Sequence, residues 1–170
     1  MLARIEGEAK RWDGLAVRVA PAPDDAWLEL FAGLYRTGGD SYFERTRRNF
    51  EWIGPPCTYA CIDVDSGDGT RTLAIGRVVA ERGWAGIFSM GTRPEARRRG
   101  AAHAVAAALA RWAAERGAHS LYLQVEAENS AACALYQRMG FTPSHAYHYR
   151  TLDQPSAGAV RGLGQRCART

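Results

Sequence analysis

The sequence predicts a mixed α/β (α+β) fold, a mostly antiparallel central sheet flanked by helices. Three observations point there. TYACIDV (58–64) and RTLAIGRVVAE (71–81) are strand-like runs joined by the turn DSGDGT, the chemistry of a hairpin. RGW makes a second tight connection into AGIFSMGT (85–92), a third adjacent strand. From Arg97 to Arg116 the periodicity turns helical and leads into another strand, SLYLQVE (120–126). Antiparallel hairpins that feed such a strand–helix–strand unit make the sheet mixed.

The other elements fall around these. LAVRVA (15–20) alternates like a strand, and PAPDD closes it. Asp24 or Asp25 is suited to cap a helix to about Tyr35, with Trp27, Leu30, Phe31 and Leu34 at helical spacing. RTGGD breaks that helix, and SYFERTRRNFEWIG reads as a second, anchored by Phe43, Phe50 and Trp52 and ended by GPP. In the third helix Ala101, Val105, Leu109 (or Ala108) and Trp112 form an apolar stripe, and Gly117 stands where a C-cap glycine belongs. Asn129 or Ser130 caps a fourth helix carrying Ala132, Leu135 and Tyr136, which Gly140 stops. AYHYRTL (146–152) reads as a last aromatic strand. The expected organisation is one domain over 15–152. An N-terminal extension (1–14), a linker remnant or a docking helix, precedes it, and a flexible tail rich in Gly, Ala and Arg (153–170) follows.

Composition narrows the function classes. A chain of 170 residues can bury a real core. No stretch approaches the roughly 20 apolar residues of a membrane span. MLARIEGEAKRWDG lacks the apolar core of a signal peptide, so a soluble, cytoplasmic protein is expected. The four cysteines (Cys57, Cys61, Cys133, Cys167) form no CxxC pair and are read as reduced thiols, so no metal is expected. DSGDGT is not a calcium loop, because Asp68 stands where the sharp-turn glycine is needed and Ala74 replaces the twelfth-position glutamate. The net charge of +4 comes almost wholly from scattered arginines, Lys10 being the only lysine. That pattern, with abundant alanine, fits a GC-rich coding bias better than a nucleic-acid stripe.

PEARRRGAAHAVAAAL (94–109) carries the chemistry. A helix starting near Arg98 leaves its first N–H groups without internal partners, and those donors with the helix dipole make an anion site. Gly100 lets an anion approach the backbone, Ala101 and Ala102 keep the wall low, and Arg97 adds charge-assisted hydrogen bonds. There is no GxGxxG and no GxxxxGK[ST]. By itself the run is equally an arginine-rich helix start with a small-residue packing face.

A second segment decides between them. Arg97-x-x-Gly100-x-Ala102 resembles the Arg/Gln-x-x-Gly-x-Gly/Ala loop of the GNAT superfamily of N-acetyltransferases. Asn129-x-x-Ala132-x-x-Leu135-Tyr136-x-x-x-Gly140-Phe141 is similar at every position to a later segment of that family. The likeness covers residues 84–152.

The resemblance implies acetyl-CoA as cosubstrate, lying where the central strand AGIFSMGT splays from LYLQV. It places the pantetheine amides against the backbone of Met90 and Thr92 and the pyrophosphate on the amides of Arg97, Arg98, Arg99, Gly100, Ala101 and Ala102. Asn129 would touch the cofactor or fix the next helix. Tyr136 would be the general acid that protonates the departing thiolate. Glu126 is the first candidate for the base, Glu81 the second, and a water relay is their rival. Tyr35, Tyr42 and Phe43 are candidate walls of the acceptor pocket. His145 and His148 fit that pocket or plain surface alternation, and His103 reads as helix surface.

The expected activity is acetyl transfer to a primary amine by direct attack. A catalytically inactive CoA-binding module of the same fold is the alternative. The expected partners are acetyl-CoA and an amine, small or on a peptide or protein, with no nucleic acid and no membrane. The chain after Phe141 is short for the family. Its last strands must be compressed or supplied by a neighbouring subunit, which is compatible with a homodimer.

Overall fold

A computed structural model describes residues 1–4, 16–34, 40–67 and 69–148, with the side chains of residues 4 and 40–43 left out. Six strands form one sheet: β1 (Leu2–Arg4), β2 (Val17–Ala20), β3 (Cys57–Asp65), β4 (Thr70–Glu81), β5 (Trp84–Thr92) and β6 (Ser120–Leu123). Their order is β1-β6-β5-β4-β3-β2, and every neighbour pair is antiparallel except β5 and β6. Among the described residues four α-helices accompany them: α1 (Asp25–Leu34), α2 (Asp40–Glu51), α3 (Ala101–Ala114) and α4 (Ser130–Arg138). The sheet is mixed and mostly antiparallel, and its single parallel pair is the one the α3 crossover requires.

Two cores lie on the two faces of this sheet. On one, Trp27, Leu28 and Leu30 of α1 pack on Tyr59, Cys61 and Ile75, with Phe50 of α2 at the margin. On the other, Ala104, Val105, Leu109 and Ala113 of α3 and Tyr136 of α4 cover Ala60, Ile62, Ala74, Val78 and Ile87. Alternation along β3 and β4 supplies both faces. Alanine does double duty in α3. It favours helix and lets the axis sit close to the strands. Ala113 takes the buried place at the end of the stripe, while Trp112 is only partly buried beneath the Arg116 guanidinium, 3.9 Å from its ring.

Gly76 shows how tight that approach is. A Cβ there would stand 2.5 Å from Met90 Sδ and 2.9 Å from Val105 Cγ1. Gly76→Val is therefore expected to destabilise the domain by about 1–3 kcal/mol, read as a lowered denaturant midpoint. An unchanged midpoint would show that α3 can move away freely.

Helix ends follow local chemistry. Asp24 Oδ1 accepts from Trp27 N at 2.9 Å, so Asp24 is the cap of α1. At the end of α3, Ala118 N donates to Ala113 O and Gly117 N to Ala114 O, with Gly117 at φ 80°. That pair of bonds is a Schellman motif. Asp63 anchors the β2–β3 edge, accepting from Thr72 Oγ1 and from Arg18 Nε, each at 2.7 Å. Burial alone would raise its pKa, and these hydrogen bonds and the Arg18 charge overcome that and hold it below the usual carboxylate value.

Three expectations are corrected. The third helix begins at Ala101 rather than near Arg98, because Arg98 (φ 62°) and Gly100 (φ 86°) are left-handed and cannot be helical. The strand after α3 ends at Leu123 instead of reaching Glu126. Residues 146–148 of AYHYRTL form no strand, while 149–152 lie outside the described residues. The edge of β6 is instead paired with Leu2–Arg4. Leu2 also bridges Thr142, so the N-terminal residues sit between β6 and the chain beyond α4. That place beside β6 is thus filled from within the same chain.

Candidate active site

The site is built on β5. Its register with β6 runs from Trp84↔Ser120 to Ile87↔Leu123 and stops where β6 ends. β5 continues beside β4 to Thr92, so beyond Ile87 its other edge has no strand partner among the described residues, a wedge in the pairing. On the other side of β5, Ile75 pairs with Gly91 and Arg77 with Phe88, so Gly76 faces both Ser89 and Met90. This β-bulge bends β5. Ser89 takes φ 53° there, a left-handed conformation that costs a non-glycine residue on the order of 1–3 kcal/mol and tends to gather at functional sites.

Beyond Thr92 a short 3₁₀ turn, Pro94–Ala96, leads into the arginine run. Arg97 Nε donates to the Thr92 carbonyl at 3.3 Å and ties the run to the end of β5. Two left-handed residues, Arg98 and Gly100, then turn the backbone into the head of α3. Backbone amides in such alternating conformations form anion-binding concavities. Ala104 N is the first amide of α3 to reach a backbone acceptor, Gly100 O at 3.0 Å, which leaves the amides of Ala101, Ala102 and His103 without intrahelical partners. The arginine run is thus a turn in front of a helix, not its first turn.

α4 follows β6, and its Tyr136 joins the core on the α3 face of the sheet. Asn129 Oδ1 accepts from Ala132 N at 3.1 Å, so this asparagine caps the helix. Gly140 N to Gln137 O and Phe141 N to Tyr136 O close a second Schellman motif, with Gly140 at φ 87°. Tyr136 and Phe141 occupy the two positions that touch in that motif, their rings 5.8 Å apart edge to face. The Asn…Tyr-x-x-x-Gly-Phe spacing is therefore also a complete helix start and stop. Tyr136 is 6% exposed, which fixes where its ring can point.

Glu126 lies just past the end of β6, with an exposed side chain, and its carbonyl accepts from Asn129 N at 3.0 Å. The turn follows the C-terminal end of β5, and Glu126 and Asn129 follow the C-terminal end of β6. Glu81 is not brought to them. It pairs with Trp84 at the opposite end of β5 and lines a separate cleft with Pro55, Pro56 and Arg116. Tyr35 lies outside the described residues, as do the side chains of Tyr42 and Phe43 in α2. His103 is partly buried on α3, and His145 and His148 are exposed. Among the described residues no cluster of His, Cys, Asp and Glu is arranged to hold a metal ion, and no helix is long and apolar enough to cross a membrane.

Sequence reading missed Arg77 and the residues around it on the α1/α2 face. The Arg77 guanidinium lies 4.9 Å from the Phe50 ring centroid and 5.0 Å from that of Phe88, and its Nε donates to Ser89 Oγ at 3.2 Å. The available signal was a charged residue in mid-strand, in AIGRVVA. Tyr59, its cross-strand partner, is 2% exposed, and its hydroxyl has no hydrogen-bond partner. Burial first, then neighbouring Cys57, pushes this phenol up to about 12 against the opposing pull of Arg77. Burial and Asp63 likewise push Cys61 up to about 12, so it stays a neutral thiol and is no nucleophile.

Comparison with known proteins agrees with this geometry. The acetyltransferase (GNAT) family matches residues 25–141. An uncharacterized N-acetyltransferase, YobR, of Bacillus subtilis is 32% identical over 130 residues, 75% of this chain and 50% of its own length. A mycothiol acetyltransferase of Beutenbergia cavernae is 31% identical over 127 residues, 72% of this chain and 42% of its own. The chain thus spans half or less of the curated relatives it matches. Among solved structures, the aminoglycoside acetyltransferase AAC(6')-Iy in complex with a CoA-containing bisubstrate analog superposes with a TM-score of 0.65 at 15% identity, covering 81% of this chain and 99% of that one. Glucosamine-6-phosphate N-acetyltransferase of Arabidopsis thaliana gives 0.62 at 16%, covering 81% and 99%. With that family matching residues 25–141 and a relative 32% identical over 75% of the chain, the chain belongs to the GNAT acetyltransferase family.

Proposed function

We propose that this domain is an N-acetyltransferase that moves the acetyl group of acetyl-CoA to a primary amine by direct attack in a ternary complex. The observation that carries this reading is the wedge between β5 and β6, which opens onto the left-handed turn at the head of α3. The residues present fit the cosubstrate. The exposed edge of β5 near Met90 and Thr92 suits an amide-bearing chain added like a strand. The amides of Arg97 to Ala102 suit a diphosphate. Bound there, the thioester supplies an acyl carbonyl that an amine can attack.

The protein's own part is positioning and proton handling. Asn129 fixes the start of α4 and so the place of Tyr136. Tyr136 holds a proton at Oη for the departing thiolate. A phenol near pKa 10 and a thiol near 8.5 make that transfer mildly uphill, so it depends on placement. Glu126, at the mouth of the wedge, takes the amine proton directly or through water. Glu81 has no part in it, standing at the other end of β5. Proximity supplies much of the remaining barrier reduction, since a neutral amine needs no covalent enzyme intermediate.

Acetyl-CoA titration followed by an amine panel with thiol-release detection tests this reading. Binding with amine-dependent release is the expected result. Binding without release by any amine would leave only a CoA-binding module, and no binding would refute both.

A further inference from the structure

We infer that the acceptor is a primary amine carried on an aromatic body, and that Phe88 and Tyr122 form the wall that grips it. This assignment rests on the transferase reading above and narrows it to a substrate class. β6 is an interior strand, paired in parallel with β5, a position where both faces are ordinarily covered. On the α3 face Leu121 and Leu123 obey this, each 3% exposed. Tyr122, between them, points to the other face and is 37% exposed. The buried core on that face draws on α1, β3 and β4, with Phe50 at its margin, and takes no described residue from β6.

Side-chain alternation puts Trp84, Gly86 and Phe88 on the face of Tyr122, since Ala85 and Ile87 lie in the α3 core. The rings of Phe88 and Tyr122 meet edge to face, 5.9 Å apart. A Cβ on Gly86 would stand 2.5 Å from Phe88 Cε2 and 2.6 Å from Tyr122 Cζ, so the glycine makes room for the pair. Trp84, 43% exposed, extends the aromatic stripe to the start of β5. Singly exposed apolar side chains are ordinary, but a contiguous run of them marks a binding surface.

Its position says what binds. The diphosphate turn follows Thr92, and a cosubstrate chain laid along β5 passes Thr92 and then Met90. The thioester end therefore arrives beside Ser89 and Phe88, where the pairing of β5 with β6 has just stopped. Tyr136 belongs to the α3 face, and Phe88 and Tyr122 to the opposite one. The leaving thiolate and the incoming amine are thus served from opposite faces of the sheet. Toward α1 the space is bounded by Leu34, whose Cδ1 would lie 2.3 Å from a Cβ on Gly91. Phe88 is held in place, the Arg77 guanidinium packing against both its ring and that of Phe50. A fixed edge-to-face pair takes a third ring by stacking or edge contact and gains little from a short hydrophilic amine.

An amine panel tests this: phenethylamine and tryptamine against ethanolamine, with cyclohexylethylamine as the saturated ring and ethanolamine phosphate and spermidine as charged acceptors. Thiol release is followed with acetyl-CoA, and calorimetry measures amine binding to the CoA-loaded protein. At least one arylalkylamine should exceed ethanolamine and both charged amines by roughly tenfold or more in kcat/KM, and the saturated ring by roughly threefold. Tyr122→Ala should lower kcat/KM for the arylalkylamine by roughly fivefold or more and leave ethanolamine turnover and acetyl-CoA affinity unchanged. Tyr122→Phe should keep the preference. A merely structural Tyr122 would move all the amines together. Should Tyr122→Ala fail to bind acetyl-CoA, Phe88→Leu should still lower the preference.

Arylalkylamines no better than ethanolamine, matched by the saturated ring or exceeded by a charged amine would overturn the assignment. So would a preference unchanged in every folded variant that shortens the wall, or the failure of both arylalkylamines to bind. Turnover without an aromatic preference would overturn it and leave the transferase reading intact. Tyr122-dependent binding of an arylalkylamine, with no thiol release from any amine, would sustain it and overturn that reading.

Discussion

Tyr136→Phe should leave acetyl-CoA binding unchanged and lower kcat by roughly 10²–10⁴, the usual range for loss of a positioned general acid. The substitution keeps the ring that packs on Phe141 at the end of α4, so the Schellman motif and the core around it persist. Only the proton donor is lost. The helix-stop aromatic and the proposed acid are separable roles of one residue, and this variant keeps only the first. If the residue were only the first, turnover would match that of the wild type, and Tyr136 would be removed from the chemistry. Raising the pH gives a second check. A phenol acid loses its proton at high pH, so the wild type should decline there while the phenylalanine variant shows no such limb.

Gly100→Val should do the reverse, weakening acetyl-CoA binding by roughly tenfold or more, about 1.4 kcal/mol per decade. Gly100 caps α3 with φ 86°, where a β-branched side chain is strongly disfavoured. The chain must either keep the turn and bear the strain or rotate the peptide and lose the amide cradle. Calorimetry with acetyl-CoA reads the outcome, and the kcat at saturation should fall far less than the affinity. An unchanged Kd would take the turn out of the diphosphate site. Together the two variants divide the site into a part that binds and a part that reacts.

Much of this was legible from the chain alone because it is local. Caps at Asp24 and Asn129, stops at Gly117 and Gly140 and the tight turn before Trp84 all act within a few residues, so their chemistry is written in sequence. Alternation in β3 and β4 and the stripe in α3 likewise declare which faces are buried, since burial follows period. The two motif segments could be aligned to the phosphate turn and to α4 for the same reason.

What tertiary structure decided is the set of contacts between distant residues. The left-handed turn that delays α3 to Ala101 depends on how Arg97 is tied back to Thr92, not on helix propensity. The wedge exists because β6 stops at Leu123 while a bulge bends β5, and neither boundary has a residue-type signature. AYHYRTL has the pattern of a strand, yet the edge of β6 is taken by Leu2–Arg4, with Met1 N bonded to Leu123 O across 122 residues. Glu126 and Glu81 read alike as strand-end carboxylates until the fold sets Glu81 opposite Trp84 at the start of β5 and Glu126 beyond the end of β6. Arg77 is one arginine among many in the sequence, and only the closing of α2 over β4 and β5 sets it between Phe50 and Phe88 at the bulge. Local backbone preference thus determined the elements and their ends, while pairing between remote segments, which no short-range preference encodes, determined the site.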